Sequence, residues 1–193
     1  MKHLIIIAHP RKDSLNYHIK NKIQAYAKKV GDEVEIRDLY KIKFMPVLDY
    51  EGLKYLKQGN VYPDILAEQS YISWADELTF IYPLWWDAFP AILKGYIDRV
   101  FTNGFAFKVT EKGIEGLLKG KRVRLITSAG MGEPSLKKNN VFESLKITQD
   151  QGVFEFCGME TIDHIYITES TQLSQDQKED VINRIIHNIK TIL

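Results

Sequence analysis

The sequence predicts an α/β fold, a doubly wound five-stranded parallel sheet with helices on both faces. This prediction depends mainly on the alternation of short apolar runs with segments of helical period along the whole chain. The length of 193 residues, with 45% hydrophobic residues, suits one substantial core. Because no repeat, low-complexity segment or linker divides the chain, we expect a single domain over residues 1–193.

Five apolar runs are the predicted strands. The first, HLIIIAH at residues 3–9, is continuous and rich in β-branched residues, as expected for a strand covered on both faces. The remaining four are predicted at residues 33–40, 77–83, 122–129 and 160–167. A small hairpin is predicted within residues 102–118, where GFAFKVT and GIEGLL flank EKG.

Helical segments separate the strands. The first follows Asp13 or Ser14, either of which can cap it, and ends at Gly31. Others are predicted at roughly residues 63–75, 90–101 and 139–151, whereas residues 41–62 show no clear period and are expected to run irregularly over the sheet edge. The last helix begins at the capping box Ser174-x-x-Gln177 and carries Val181, Ile185, Ile189 and Ile192. This element order is typical of the flavodoxin-like fold.

Composition excludes several classes of function. A formal net charge of +1 gives no electrostatic basis for binding nucleic acid or an anionic membrane surface. Cys157 is the only cysteine, which excludes an internal disulfide and a multi-cysteine metal site, and its apolar surroundings predict a buried, inert thiol. No apolar run approaches the roughly 20 residues of a membrane span, and the N-terminal run is too short for a signal segment. We expect a cytoplasmic protein.

Three loops are expected to form the ligand site, since ligands of doubly wound sheets bind beyond the carboxyl ends of the strands. The loop at residues 9–14 opens onto a helix N-terminus that favours an anion such as a phosphate, with His9, Ser14 and Asn16 as further donors. It contains neither GxGxxG nor GxxxxGK[ST]. The alternative is that this loop only caps a helix and that His9 is a buried, satisfied histidine.

The loops at residues 83–90 and 127–135 are expected to form the walls of the ligand site. The first contains Trp85, Trp86 and Phe89, whose faces can stack on a planar ring, although a core plug or a partner surface would also explain them. In the second, Gly130 and Gly132 allow a ligand to approach the backbone closely. A phosphate site, an aromatic platform and a glycine-lined wall together favour a flavin, which carries its own chemistry and needs no metal.

The stretch YPLWWDAFPAILKGYIDRVFTNGFAF closely resembles the flavin-dependent NAD(P)H:quinone oxidoreductase family, the DT-diaphorase-like branch of flavodoxin-like proteins. That family carries a P-L-x-W-x-x-x-P-A-x-L-K-G-x-x-[DE]-R-V-F run and an A-H-x-x-x-x-S-x-N loop, which AHPRKDSLNY matches. DLYKIKFMPVL and PDILAEQ add similarity, so the resemblance spans most of the chain up to residue 130.

The resemblance implies FAD or FMN as cofactor, NADH or NADPH as hydride donor, and no metal. The implied phosphate-binding residues are His9, Ser14, Leu15 and Asn16. Those lining the flavin ring are Pro83, Leu84, Trp85, Trp86 and Asp87, followed by the wall Thr127, Ser128, Ala129 and Gly130, in which Ala129 replaces a family glycine. The implied substrate pocket contains Trp86, Phe107 and Gly132.

The activity implied by the resemblance is a ping-pong, two-electron reduction of quinones, or of nitro or azo compounds, by a homodimer that completes each site across its interface. One departure concerns proton handling: the family places a Tyr and a His soon after the wall, whereas MGEPSLKKNNVFESL contains neither. We therefore assign that step to no residue. The alternatives are a soluble ancillary subunit of a potassium efflux system, a one-electron carrier and an interaction domain.

Overall fold

The computed structural model describes residues 1–192, with side chains described for residues 1–189. Its strands, in chain order, are β1 (Lys2–Ile7), β2 (Glu33–Asp38), β3 (Glu77–Pro83), β4 (Phe107–Thr110), β5 (Gly113–Gly116), β6 (Arg122–Ser128) and β7 (Glu160–Ile167). Five of them form a parallel sheet in the order β2-β1-β3-β6-β7, and β4 and β5 form an antiparallel hairpin. The predicted five-stranded sheet and the predicted hairpin are both confirmed.

Helices occupy most of the connections between the strands. In chain order they are α1 (Leu15–Lys29), α2 (Tyr50–Lys57), α3 (Pro63–Trp74), α4 (Ala91–Val100), α5 (Glu133–Lys138), α6 (Val141–Leu145), a π-helix (Lys146–Glu155) and α7 (Gln175–Ile192). The described part of the chain contains no helix with the length and apolar character needed to cross a bilayer.

The two faces of the sheet bury separate cores, because consecutive strand residues point to opposite faces. Leu4, Phe80 and Leu125 pack in the cluster that includes side chains of α3 and α4. On the other face, Ile5, Ile81 and Ile126 pack with side chains of α1 and α7. Near-continuous apolar strands are therefore explained by helices on both faces, as predicted.

The predicted helix caps are present at both ends of the chain. The backbone N–H of Tyr17 donates to Ser14 Oγ at 3.4 Å, so Ser14 rather than Asp13 caps α1. At α7, the N–H of Ser174 donates to Gln177 Oε1 at 2.8 Å and the N–H of Gln177 donates to Ser174 Oγ at 3.3 Å. This reciprocal pair is the predicted capping box. The side chain of Ile192, predicted for the same helix face, lies outside the described residues.

Residues 41–62 were expected to be irregular, and this prediction is wrong because they contain α2. The N–H of Gly52 donates to the Asp49 side chain at 2.7 Å, which caps this helix. The preceding chain is held tightly against α4, since a Cβ on Gly95 would lie 2.2 Å from the carbonyl oxygen of Pro46. Arg99 also donates to the carbonyl of Met45 at 2.6 Å.

The helix predicted at residues 139–151 is also wrong in its bounds and its type. The short α6 passes directly into the π-helix, which extends to Glu155, and α5 precedes them. The N–H of Phe156 donates to the carbonyl of Gln151 at 3.0 Å, five residues back, which is the hydrogen bond of a π-helix. In this wider helix two consecutive side chains, Gln149 and Asp150, are both buried.

Cys157 follows the π-helix and is buried, as predicted, with 3% of its surface exposed. Burial raises the pKa of its thiol to about 11. It lies at the base of an open groove of about 660 Å³ between α2, α4 and the π-helix.

Candidate active site

The three predicted loops begin at neighbouring strands on one edge of the sheet. Ile7 of β1 is in register with Ile81 of β3, and Pro83 of β3 is in register with Ser128 of β6. The N–H of Leu84 donates to the carbonyl of Ser128 at 2.8 Å, which joins the second and third loops directly. The parallel order of the strands thus brings together segments that are far apart in sequence.

In the first loop, His9 is partly exposed and its Nδ1 accepts the N–H of Arg11 at 3.1 Å. Partial burial lowers the pKa of His9. This is not the enclosed setting that the purely structural alternative assumed for His9. Arg11 forms an exposed 2.8 Å ion pair with Asp13.

Asn16 carries a buried amide nitrogen that no described residue uses. Only 2% of its surface is exposed, and its Nδ2 finds no hydrogen-bond partner among the described residues. Leu15 beside it is also buried, at the first turn of α1. Because nearly all buried donors in folded proteins are satisfied, a free amide beside a helix N-terminus fits an acceptor supplied by a ligand, such as a phosphate oxygen.

The second loop displays its tryptophans. Trp85 and Ala88 exchange backbone hydrogen bonds of 3.2 and 3.1 Å, and between them Trp86 and Asp87 adopt φ of 53° and 50°. Two left-handed residues in such a turn expose the Trp86 side chain fully, with Trp85 42% exposed. Left-handed backbone is unfavourable for a bulky residue and is concentrated at functional sites.

The core-plug explanation is therefore wrong for both tryptophans. The plug is Phe89, whose ring lies 5.1 Å from that of Tyr82 and 6.4 Å from that of Phe154. Pro83 is buried at the end of β3, and Leu84 packs beside Ala129. The loop is thus anchored from below while its tip faces outward.

The third loop, residues 127–135, is buried at its start and mostly exposed from Gly130 onward. Ser128 and Ala129 are buried, whereas Gly130 is exposed, and a Cβ placed on it would have only the Thr171 hydroxyl near, at 3.9 Å. Gly132 faces the loop after β7, where an added Cβ would lie 3.1 Å from the Glu169 carboxylate. The backbone at Gly130 is therefore open on the side where a Cβ would point.

Phe107 lies elsewhere. Its ring contacts that of Phe156 at 5.3 Å, and it lines the open groove that ends at Cys157. Among the described residues lining this groove, Trp86 and Gly132 are absent. This groove therefore contains one of the three predicted substrate-pocket residues.

Sequence reasoning missed a buried polar cluster below the loops. The Tyr82 hydroxyl donates to Gln149 Oε1 at 2.6 Å, and Thr127 Oγ1 lies 3.0 Å from His164 Nε2. His164 Nδ1 lies 2.7 Å from Asp150 Oδ1. A histidine on a strand, two residues from Tyr166 and so on the same face, was the available signal, but it lies beyond residues 131–145, where the Tyr and His were expected. The described residues contain no group of three or more potential metal ligands.

Comparison with known proteins agrees with this architecture. The family model described as flavodoxin-like fold matches residues 1–193. A Haemophilus influenzae protein named uncharacterized NAD(P)H oxidoreductase is 40% identical over 164 residues, which is 84% of this chain and 81% of that protein. NAD(P)H dehydrogenase [quinone] 1 of Cavia porcellus is 32% identical over 83% of this chain and 66% of its own length.

Among solved structures, the NAD(P)H:quinone oxidoreductase of Methanothermobacter marburgensis superposes with a TM-score of 0.88 at 27% identity, over 97% of this chain and 96% of that one. The sheet order, the three loops at its carboxyl edge and the extent of these similarities lead to one conclusion. The chain belongs to the flavodoxin-like NAD(P)H:quinone oxidoreductase family.

Proposed function

We propose that the protein is a flavin-dependent NAD(P)H:quinone oxidoreductase that reduces quinones by two electrons. The observation that carries the proposal is the convergence of three features at one sheet edge: the unused amide of Asn16, the exposed face of Trp86 and the open side at Gly130. The oxidoreductase names of the relatives support it. These names do not favour the ancillary potassium-efflux subunit or the one-electron carrier.

The N-terminus of α1 would hold the phosphate end of the cofactor. The free N–H groups of the first turn and the helix dipole attract an anion, and the Asn16 amide adds a buried donor. His9 and Ser14 lie at the same helix start, and Leu15 closes its apolar side. FAD or FMN bound there would accept the hydride from NADH or NADPH and pass two electrons to the acceptor.

Two backbone walls would enclose the flavin ring. On one side are Pro83, Leu84, Trp85, Trp86 and Asp87, and on the other Thr127, Ser128, Ala129 and Gly130. Trp86 supplies a flat surface that excludes water from one ring face, and the exposed Gly130 leaves room for close approach. Their task is positioning, because the cofactor itself carries the chemistry. The nicotinamide and the quinone would occupy the same place in turn.

The position of Phe107 supports a homodimer. Phe107 lines a groove that Trp86 and Gly132 do not line, and in the proposed dimer the partner's Phe107 would join Trp86 and Gly132 in one substrate pocket. The groove is lined in part by the exposed apolar side chains of Leu53 and Phe156, which a partner would cover. We also propose that the protein is cytoplasmic and that each chain folds as one domain.

The deciding experiment is the visible spectrum of the purified protein without oxygen. We expect a flavin absorption band that bleaches on addition of NADH or NADPH and returns on addition of menadione. The same cycle without the nicotinamide is the control and should leave the band unchanged. A flavin band that neither NADH nor NADPH bleaches would favour the one-electron carrier or the ancillary potassium-efflux subunit. If the protein shows no flavin band after incubation with FMN or FAD and removal of the unbound flavin, the proposed cofactor is excluded.

A further inference from the structure

The π-helix faces two different parts of the molecule. Toward the sheet, Gln149 and Asp150 join the buried polar cluster below the loops, and Phe154 is fully buried. On another side, Thr148 and Gly152 line the open groove of about 660 Å³. The helix therefore lies between the groove and the strand ends that lead into the proposed flavin walls.

One contact of the π-helix holds the end of β3. The Tyr82 hydroxyl donates to Gln149 Oε1 at 2.6 Å, and these two residues are 0% and 2% exposed. Burial raises the pKa of Tyr82, so its hydroxyl keeps the hydrogen that it donates. Tyr82 immediately precedes Pro83, the first residue of the proposed wall at residues 83–87. The hydrogen bond therefore acts one residue below that wall.

A second contact of the π-helix reaches the end of β6 through β7. Thr127 Oγ1 lies 3.0 Å from His164 Nε2, and His164 Nδ1 lies 2.7 Å from Asp150 Oδ1. Hydroxyl, imidazole and carboxylate stand in the order of a nucleophilic catalytic site. However, Thr127 is only 1% exposed, so no substrate reaches its hydroxyl. These hydrogen bonds instead fix Thr127, which immediately precedes Ser128 of the other wall.

An aromatic contact supports the tryptophan loop from below. The ring centroid of Phe89 lies 5.1 Å from that of Tyr82 and 6.4 Å from that of Phe154 in the π-helix. The side chain of Trp86 at the tip of the loop is fully exposed. Because packing of the Trp86 side chain does not hold the tip, its position depends on the base of the loop, which Tyr82 and Phe89 form.

The Gln149 side chain has no direct access to the proposed flavin. The residue is 2% exposed, and it is not among the described residues that line the groove. Its Oε1 accepts the hydrogen of a hydroxyl that is itself buried, at Tyr82. We therefore expect any effect of Gln149 on a bound flavin to pass through Tyr82 and the end of β3.

We propose that Gln149 is a positioning residue for the flavin site, which holds the end of β3 through the Tyr82 hydroxyl and so keeps the wall at residues 83–87 in the place that binds the flavin. This inference rests on the proposed function. A wall held in place before binding gives tighter binding, because less conformational freedom is lost when the ligand arrives.

Two substitutions of similar shape separate positioning from stability. Tyr82→Phe removes the donor and Gln149→Met removes the acceptor. Either change alone leaves a buried polar group without its partner and should lower the global stability, whereas the double variant has neither group and should regain most of it. Positioning depends on the hydrogen bond itself, which is absent from all three variants.

FMN binding to the full-length apoprotein is measured by fluorescence quenching, and global stability by urea denaturation. We expect the FMN dissociation constant to rise about three- to tenfold in both single variants and in the double variant, the effect of losing one hydrogen bond. The matched control is Gln151→Met, which replaces an exposed glutamine two residues away in the same π-helix. It should leave both quantities unchanged.

Hydrogen–deuterium exchange reads the position of the wall without a flavin. In the apoprotein, peptides that cover residues 83–90 should exchange about three- to tenfold faster in all three variants, because the lost hydrogen bond no longer opposes local opening. The double variant is decisive, since its global stability is close to that of the wild type. If the Gln149 variants do not fold, Tyr82→Phe is compared with the wild type in the same two measurements.

The outcomes distinguish this inference from the proposed function. A double variant that regains wild-type FMN affinity together with its stability would show that Gln149 acts on stability alone, and would overturn the inference. Unchanged exchange of residues 83–90 in the folded variants would overturn it as well. A wild type that binds neither FMN nor FAD would overturn the proposed function instead. The exchange measurement then decides by itself whether Gln149 positions the loop.

Discussion

The two ends of the parallel sheet differ in how their buried polar groups are paired. At the amino end, the nearly inaccessible Glu77 lies 3.0 Å from Arg122 and 3.5 Å from Arg124, so full charges compensate one another. At the carboxyl end, Asn16 keeps a buried amide without a partner among the described residues, and Trp86 is fully exposed. The amino end pairs buried charges of opposite sign, whereas at the carboxyl end the neutral Asn16 amide nitrogen lies where the phosphate of the proposed cofactor would bind.

Arg124 is the centre of the amino-end cluster. It is fully buried and also pairs with Asp163 at 3.2 Å, so one cation serves two carboxylates. Burial raises the pKa of Glu77, and the guanidinium groups of Arg124 and Arg122 act against that increase. Removing this cation would leave buried charge uncompensated.

The largest expected effect on stability is that of Arg124→Met. Because Glu77 and Asp163 lose their shared cation, we expect the free energy of unfolding to fall by about 3–5 kcal/mol. Urea denaturation at pH 7 measures it. Arg11→Met is the matched control, since the Arg11–Asp13 pair is exposed, and should cause no measurable change. Equal stabilities of the two variants would contradict the assignment of Arg124 to a structural cluster.

A second effect at the amino end depends on pH. Burial, followed by the nearby Arg124, lowers the pKa of His3 from 6.5 to about 4. The unfolded chain therefore takes up this proton first as the pH falls, so stability present above pH 6.5 is lost on the way to pH 4. Between pH 7.5 and pH 5 the loss should be about 2 kcal/mol, measured by urea denaturation at both values.

His3→Gln tests the source of this pH dependence. The amide can still bond the Thr79 hydroxyl, which lies 2.8 Å from His3 Nε2, but it does not titrate in this range. We expect the variant to lose about 2 kcal/mol less than the wild type between the two pH values. An unchanged pH dependence would assign it to other groups.

At the carboxyl end the effect on stability should be smaller and the effect on binding larger. Asn16→Ala removes some packing but also an unsatisfied buried donor, so the free energy of unfolding should change by less than about 1 kcal/mol. Binding of FMN should weaken about tenfold or more, because a hydrogen bond to a charged phosphate is lost. Asn21→Ala, on the exposed face of the same helix, is the control. Equal FMN affinity in both variants would remove Asn16 from the site.

The smallest change in stability is expected for Trp86→Ala. Its side chain is fully exposed, so the free energy of unfolding should stay within about 0.5 kcal/mol of the wild type. If its face lies against the flavin or the acceptor, FMN binding or the KM for menadione should worsen about fivefold or more. Thermal denaturation and steady-state kinetics measure the two effects. A variant unchanged in both would leave Trp86 as a partner surface.

The sequence predicted the framework well because burial on two sheet faces produces continuous apolar runs. All five strands of the main sheet, the hairpin and the final capping box are where the pattern indicated them. The tryptophan loop was also recognisable, since large aromatic residues between a strand and a helix are unusual. In these segments the local sequence pattern indicates the same secondary structure that the folded protein contains.

The missed features depend on contacts that no local pattern records. Helix α2 spans only Tyr50–Lys57, which is too short for its apolar residues to establish a helical period, and only Gly52 within it is buried. The π-helix changes the helical period without changing the residue types used. The buried polar cluster below the loops contains Tyr82, Thr127 and His164, which lie on three strands far apart in sequence. Only the assembled sheet brings them together.

The burial of Cys157 has a chemical consequence if quinones are the substrates, as proposed above. Quinones are electrophiles that alkylate thiolates, so a reactive cysteine would be modified by the very compounds the enzyme converts. With its pKa raised to about 11, the thiol is ionised in only about one molecule in ten thousand at neutral pH, and 3% of the residue's surface is exposed. The packing at the end of the π-helix would thus keep this thiol poorly reactive toward the proposed substrates.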